Sequence, residues 1–180
     1  GVNNVSHTSN FDSFIAKLDS SGSHLWSGAI SGTSADYIYA ITTAASGDIY
    51  FGGSYSGQMD ADINAGTQTV NSTGVDQDIF ILKLNSSGAF QFVKSMGGIS
   101  NDFVYDLALD ASNTLFASGI FGATVDFDPS SGNAYLLTSN FTDGFVATYT
   151  SNGNFKMARK IGNGNVGTNV SNLWATNDDV

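Results

Sequence analysis

Two short segments carry oxygen-bearing side chains at alternating positions before a glycine. The first is Asp60-Ala61-Asp62-Ile63-Asn64-Ala65-Gly66, and the second is Asp126-Phe127-Asp128-Pro129-Ser130-Ser131-Gly132. Oxygen donors at the first, third and fifth places of a loop that closes on glycine can converge on a hard cation such as Ca²⁺. The pattern therefore gives six candidate metal ligands: Asp60, Asp62, Asn64, Asp126, Asp128 and Ser130.

The same segments also fit the tips of β-hairpins. In such tips Asp and Asn accept hydrogen bonds from the local backbone, and Gly supplies a positive φ. The spacing departs from an EF-hand because Gly comes one place late and no bidentate Glu follows, and about three oxygens stand where Ca²⁺ takes roughly six to eight. The sequence favours the turn and leaves Ca²⁺ open as the one cofactor hypothesis.

Other carboxylates recur at fixed places in the chain. Asp12, Asp78 and Asp143 each precede a Phe-containing apolar run, and Asp36 and Asp102 each precede an aromatic run. Such a set can line a ligand surface, but Asp at these places also caps turns by accepting backbone N–H bonds. We favour the capping role.

Catalytic patterns are sparse in the sequence. His7 and His24 are the two histidines, and no nucleophile elbow, zinc-binding helix motif or phosphate-binding glycine loop occurs. Pairs of Asp can hydrolyse glycosides when they lie a set distance apart, but all sixteen acidic residues are Asp in a turn-rich chain, where chance pairs are expected. We predict a protein that is not an enzyme, with a carbohydrate-active enzyme as the alternative.

Charge and hydropathy exclude two classes of partner. The net charge is −10 with six Lys and Arg, so the chain would repel the phosphates of nucleic acids and anionic membrane surfaces. No apolar run reaches the ~20 residues that span a bilayer. We therefore expect neither nucleic-acid binding nor membrane insertion.

The residue mix predicts an all-β protein. Twenty-one glycines, 12% aromatic residues and the absence of Glu are typical of short strands joined by tight turns. A repeat of about 65 residues runs through the chain, with Phe14, Phe80 and Phe145 at equivalent positions. It divides the chain into residues 1–13, the end of a preceding repeat; 14–79 and 80–144, two blade repeats; and 145–180, a partial repeat.

Each copy contains the strands and turns of a propeller blade. Phe80–Leu84 and Phe90–Met96 predict one hairpin, and Tyr105–Leu109 with Thr114–Phe121 predicts a second. The copies exceed the ~40–50 residues usual for propeller repeats, and the surplus at Met59–Val70 and Val125–Leu137 predicts an extra hairpin arm. The expected fold is a tandem of four-stranded antiparallel propeller blades in an incomplete ring.

The string from Asp12 to Trp26, Asp-Ser-Phe-Ile-Ala-Lys-Leu-Asp-Ser-Ser-Gly-Ser-His-Leu-Trp, resembles the bacterial seven-bladed β-propeller repeat family, often called SBBP repeats. Met96-Gly97-Gly98 and the segment Val125 to Pro129 extend the likeness, while Thr148 and Thr150 depart from it in the third copy. The resemblance implies a secreted or surface-attached bacterial protein and no shared catalytic residues. We expect Trp26, Phe92 and Met157 to pack between blades.

These observations predict a noncatalytic propeller segment of a bacterial secreted or cell-surface protein. It would present loops to another protein or to a glycan, and its blades would pack against other chains or further repeats of the same polypeptide. The alternative is a structural repeat of an extracellular filament or giant adhesin, in which open strand edges mediate assembly.

Overall fold

The computed structural model describes residues 11–130, 135–137, 141–163, 170, 172–173 and 175, and every regular element among them is a β-strand. No helix in this part of the chain is long and apolar enough to cross a membrane. The strands are β1 (Ser13–Leu18), β2 (His24–Gly32), β3 (Asp36–Thr43), β4 (Ile49–Tyr55), β5 (Gln58–Asp60), β6 (Thr69–Asn71), β7 (Asp78–Leu84), β8 (Phe90–Met96), β9 (Phe103–Leu109), β10 (Leu115–Phe121), β11 (Thr124–Asp126), β12 (Tyr135–Leu137), β13 (Asp143–Tyr149) and β14 (Phe155–Ile161).

The strands form sheets that we name blades. Blade 1 contains β1 and β2, blade 2 is the sheet β3-β4-β7-β8, and blade 3 is the sheet β9-β10-β13-β14. Strands β5 and β6 extend blade 1 beyond β2, and β11 pairs with β12 as a separate ribbon. Tandem four-stranded antiparallel sheets confirm the predicted fold class.

The sheets are offset from the sequence copies by half a copy. Both predicted hairpins form, but they lie in different blades, because β4 pairs with β7 of the next copy from Ile49↔Leu84 to Tyr55↔Asp78. The expectation that one copy makes one blade is thereby corrected. The physical reason lies in β4 and β7, which are buried along their whole length and therefore take the two central places of one sheet.

The extra hairpin arms are present as predicted. The first arm is β5–β6, which pairs Gln58↔Asn71 through Asp60↔Thr69, and the second is β11–β12. The first arm joins blade 1 through Ser31↔Asp60 and Gly32↔Met59, although its two ends connect to strands of blade 2. The first arm therefore bridges two successive blades rather than extending its own.

One apolar strand serves two hydrophobic cores. Phe80, Leu82 and Leu84 of β7 point toward blade 1 and pack with Ile15 and Ile30. The alternate residues Ile79 and Ile81 point toward blade 3 and pack with Phe145 and Tyr149, among others. Because side chains alternate across a strand, blade 2 is the wall between both cores.

The hairpins β3–β4 and β9–β10 contain matching β-bulges. Tyr39 is skipped between the pairs Ile38↔Gly53 and Ala40↔Gly52, and the same irregularity leaves Tyr105 unpaired opposite Gly119. A Cβ on Gly53 would lie 1.8 Å from the carbonyl oxygen of Tyr37. The bulge thus requires glycine, which explains why Gly53 and Gly119 recur at the same place in both copies.

Candidate interaction surfaces

The carboxylates of the first arm are committed to its own backbone. Oδ1 of Asp60 accepts hydrogen bonds from the amides of Asp62 (3.0 Å) and Gln68 (2.8 Å). Oδ1 of Asp62 accepts from the amide of Asn64 at 3.0 Å and from its side-chain Nδ2 at 3.2 Å. These bonds fit the hairpin-tip interpretation.

The first arm lies over the seam between blades 1 and 2. Nδ2 of Asn64 donates to the carbonyl oxygen of Gly88, in the β7–β8 turn of blade 2, at 3.0 Å. Ile63 covers Gly28 of blade 1 so closely that a Cβ on that glycine would lie 2.6 Å from the Ile63 Cβ. The arm side chains therefore contact both blades, and Asn64 has a structural partner.

The second arm repeats this geometry. Oδ1 of Asp126 accepts from the amide of Asp128 at 2.9 Å, and Oδ1 of Asp128 accepts from the amide and hydroxyl of Ser130 at 3.3 and 2.5 Å. Phe127 between them is fully buried, with its ring centroid 4.7 Å from that of Phe145. Ser131 and Gly132, which would close the loop, lie outside the described residues.

The bonding pattern of the two arms bears on the calcium hypothesis. Among the residues that the structure describes, no three His, Cys, Asp or Glu side chains converge as a metal site. The carboxylate oxygens named above meet N–H and O–H donors of the protein, as turn residues do. Calcium binding by the six predicted ligands stays a prediction.

Two of the recurring Asp residues, Asp78 and Asp102, accept backbone N–H bonds next to their strands, which is the capping role favoured from the sequence. Asp102 is fully buried, and its two oxygens accept from the amides of Gly98 (3.0 Å) and Gly122 (2.8 Å). Oδ2 of Asp78 accepts from the amide of Thr73 at 2.7 Å. Burial raises the pKa of Asp102 to about 7, although these backbone bonds oppose the shift.

Asp36 differs from its equivalent Asp102. Its side chain is 1% exposed, and neither carboxylate oxygen has a hydrogen-bond partner among the described residues. Burial, assisted by the charge of Asp12 nearby, raises the pKa of Asp36 to about 7. Asp143, also buried, lies 3.3 Å from the ammonium of Lys160. The carboxylates therefore do not form one uniform ring.

A repeated lysine links each blade to the next. Nζ of Lys17 in blade 1 donates to the carbonyl of Ser86 at 2.8 Å, and Nζ of Lys83 in blade 2 donates to the carbonyl of Ser151 at 3.0 Å. Lys83 also pairs with Asp48 at 2.9 Å. Burial opposes its charge, but the bonds to Asp48 and Tyr50 outweigh that effect and raise the pKa of Lys83.

The bulky residues expected between blades divide into two groups. Trp26 and Phe92 are partly buried and pack on the hydrophobic cores. Their rings cover Gly88 and Gly153 of the next blade, where an added Cβ would lie 2.9 and 3.0 Å away. Met157 is 36% exposed, so its expected burial is wrong within this structure. The physical reason is that the described residues contain no further blade beyond blade 3.

Blade 1 presents an open apolar face. Phe14 is 71% exposed and Leu18 is 55% exposed, whereas their equivalents Phe80 and Leu84 are fully buried. Leu25 on β2 is also 54% exposed. Exposed large apolar side chains whose equivalents are buried in the next blade favour an interaction surface here.

An aromatic row on β3 and β9, which are edge strands of blades 2 and 3, was not predicted from the sequence. Rings of Tyr37, Tyr39, Phe103 and Tyr105 follow one another at centroid distances of 5.8 to 6.3 Å across blades 2 and 3. The signal was present as two aromatics separated by one residue, repeated in register with a downstream glycine. It is the bulge that places Tyr39 and Tyr105 in this row.

Comparison with known proteins agrees with a propeller-like fold. No model of a known protein family matches the chain. The chain is 26% identical over 183 residues to the uncharacterized WD repeat-containing protein L264 of Acanthamoeba polyphaga mimivirus, an alignment that covers 95% of this chain and 13% of that protein. WD repeats form four-stranded propeller blades. The SBBP resemblance stays a prediction, and the structure and the viral relative together describe a chain of propeller-like β-repeats.

Proposed function

We propose that the chain is a noncatalytic propeller segment that holds a protein partner on the end of its blades where the hairpin turns lie. Within each sheet the hairpin turns lie at one end, because neighbouring strands alternate in direction. The bonds from Lys17 to Ser86 and from Lys83 to Ser151 bring these ends together in successive blades. The turns concerned are β1–β2, β3–β4, β7–β8, β9–β10 and β13–β14. WD repeat propellers generally mediate protein interactions. The supporting observation is the shared wall formed by blade 2, which fixes these turns relative to one another.

The turns themselves are built to be rigid. Oδ1 of Asp19 accepts from the amides of Ser21 and Ser23 at 2.8 Å each, and Oδ1 of Asn85 makes the equivalent bonds at 3.0 Å. Gly22 and Gly88 take positive φ values of 82° and 85° in these turns. A preorganised loop loses little conformational entropy on binding, which favours recognition by the turn end. The net charge of −10 favours a basic partner.

Affinity capture by the purified chain tests this proposal. The matched control carries Ser20→Arg, Ala45→Arg and Ala111→Arg, three exposed turn-tip substitutions away from the cores. We expect the wild-type chain to retain a partner that the variant loses, at unchanged melting temperature, and we expect retention to fall with added salt. Equal retention by both chains would place the binding surface elsewhere.

Assembly is a second candidate, favoured by the open apolar face of blade 1. In this alternative the chain is a structural repeat of an extracellular filament or adhesin, and the exposed Phe14 and Leu18 mediate contacts between copies. Light scattering separates the two proposals, because defined oligomers or fibres support assembly and a monomer supports recognition. A glycan array then separates a glycan ligand from a protein partner.

The extracellular or cell-surface location and the absence of catalysis belong to the same proposal. Protease treatment of intact source cells should remove the protein if it is surface-exposed. Polysaccharide hydrolysis that disappears when an Asp pair is mutated would instead support the carbohydrate-active alternative.

Calcium remains the proposed cofactor of the two arms. Calorimetric titration with Ca²⁺ tests it on the wild-type chain and on Asp60→Asn, which keeps an oxygen acceptor for the bonds to Asp62 and Gln68. Heat in the wild type that the variant lacks supports the metal. An absence of heat together with a melting temperature unchanged by chelator removes it.

A further inference from the structure

Strand β1 has one open edge among the residues that the structure describes. Strand β7 lies between β4 and β8, whereas its equivalent β1 lies at the edge of its sheet and, among the described strands, pairs with β2 alone. The two strands match in sequence from Asp12 and Asp78 to Leu18 and Leu84. The second edge of β1 therefore pairs with no strand in the described part of the chain, where its equivalent has a full hydrogen-bond ladder.

The neighbouring face of β3 shows a matching deficit. Ile41 is 62% exposed, while its equivalent Leu107 on β9 is 5% exposed. Leu107 and Val104 are covered by Gly52 of the blade in front, where a Cβ would lie 3.2 and 2.7 Å from their side chains. Within the described ranges, no strand covers Ile41 in the same way.

Both deficits open into one cleft. It measures about 420 Å³ and lies between blades 1 and 2. Its apolar lining includes Ile15, Leu18, Trp26, Ile41, Ile49 and Phe51. An unpaired strand edge beside an apolar cleft is the geometry that binds an added β-strand.

We propose that this cleft is the seat of a two-stranded hairpin equivalent to β3–β4, supplied by a further copy of the repeat in the same polypeptide. Its second strand pairs with β1 in the register of β4 with β7, so that the residue equivalent to Tyr55 lies opposite Asp12 and the residue equivalent to Ile49 lies opposite Leu18. A glycine equivalent to Gly52 covers Ile41. The hairpin completes blade 1 whatever partner the turn end binds, so this inference does not depend on the proposed function.

A second copy of the chain is a poorer occupant than a further repeat. In any copy, β3 and β4 are already joined to β7 through seven paired positions. Lending that hairpin would expose Phe80, Leu82 and Leu84, which are all fully buried. A second chain that supplied its β3–β4 hairpin would expose its own core in order to cover the core of the first chain. A further copy of the repeat would supply the hairpin without exposing another core.

A fusion tests the inference directly. Residues 36–77 of this chain are placed immediately before Asp12, using the equivalence of Asp12 and Asp78, so that a second β3–β4 hairpin precedes β1. Amide hydrogen exchange and methyl NMR are then compared with the unfused chain. We expect the amides of β1 to exchange about 100-fold more slowly, as paired strands do. We also expect the Ile41 methyl signals to shift and the melting temperature to rise.

The matched control is the same fusion with Gly53→Val in the added copy only. That substitution forbids the bulge, since its Cβ would meet the Tyr37 carbonyl, and we expect β1 to exchange as in the unfused chain. Protection in the first fusion and not in the control supports the proposal. Unchanged β1 exchange in both fusions overturns it, and so does an unfused chain that dimerises with β1 already protected, because the seat then belongs to a second copy.

Discussion

Truncating equivalent phenylalanines in successive copies should have unequal effects. Phe80 on β7 and Phe14 on β1 hold the same place in the repeat, but Phe80 is fully buried and Phe14 is 71% exposed. Phe80 packs on Gly53 and lies edge-on to Tyr55 at a centroid distance of 6.3 Å. Phe80→Ala therefore empties a place in the core between blades 1 and 2, whereas Phe14→Ala removes a side chain that mostly faces solvent.

The expected magnitudes follow from burial. Removing a fully buried phenylalanine costs about 3–5 kcal/mol through lost transfer free energy and the cavity that remains. Less than a third of Phe14 is buried, so the same substitution there should cost about 1 kcal/mol or less. In a chain of this length, the larger effect corresponds to a fall in melting temperature of about 6–20 °C.

Urea unfolding followed by circular dichroism measures both variants against wild type. The midpoint shift at constant slope gives the change in the free energy of unfolding. We expect a large shift for Phe80→Ala and a small one for Phe14→Ala. Equal large shifts would refute the reasoning, because they would mean that the face of blade 1 containing Phe14 is covered in solution.

Three further predictions concern the contacts between blades. Phe92→Ala should lower the melting temperature markedly, because this ring covers Gly153 of the next blade. Met157→Ala, at the equivalent but exposed position, should change the melting temperature little. Similar shifts for both variants would contradict the packing. Lys83→Met should cost about 1–3 kcal/mol in denaturant unfolding because it removes charged hydrogen bonds to Asp48 and Ser151, and Lys17→Met, with one such bond at a more exposed site, should cost less. Burial raises the folded-state pKa of Asp36 from 3.8 to about 7, so between these values the folded chain keeps a proton that the unfolded chain has released. The free energy of unfolding should thus fall as pH rises from about 4 to 7, and Asp36→Asn should reduce that slope; an unchanged slope would assign it to other groups.

Local structure was predictable where the residue types present favour one backbone conformation. The hairpin of Tyr105–Leu109 with Thr114–Phe121 was predicted, and in the turn between these strands Asn113 takes a φ of 59°, a conformation that Asn tolerates. The hairpin arms followed from two short apolar stretches around a polar tip. Hairpins and arms form between segments that are close in sequence, so a single sequence contains the pattern that predicts them.

The assignment of hairpins to sheets was not predictable in the same way. From the sequence, the two hairpins of one copy could belong to the same sheet. Which hairpins share a sheet depends on the burial along β4 and β7, and only the packed structure shows that burial. The role of Asn64 was also hidden, because its partner, the Gly88 carbonyl, is 24 residues away. Alternating oxygens in sequence display possible ligands without showing which donors they meet.

The pairing of β4 with β7 is the central structural claim, and NMR of the isotope-labelled chain measures it most directly. Antiparallel neighbours bring protons of opposite residues close together. Cross-strand Overhauser contacts should connect Gly52 with Ile81 and Ser118 with Val146, in the registers of blades 2 and 3. Contacts that instead join β8 to β9, as strands of one sheet within a single copy, would contradict the offset blades and the interfaces inferred from them.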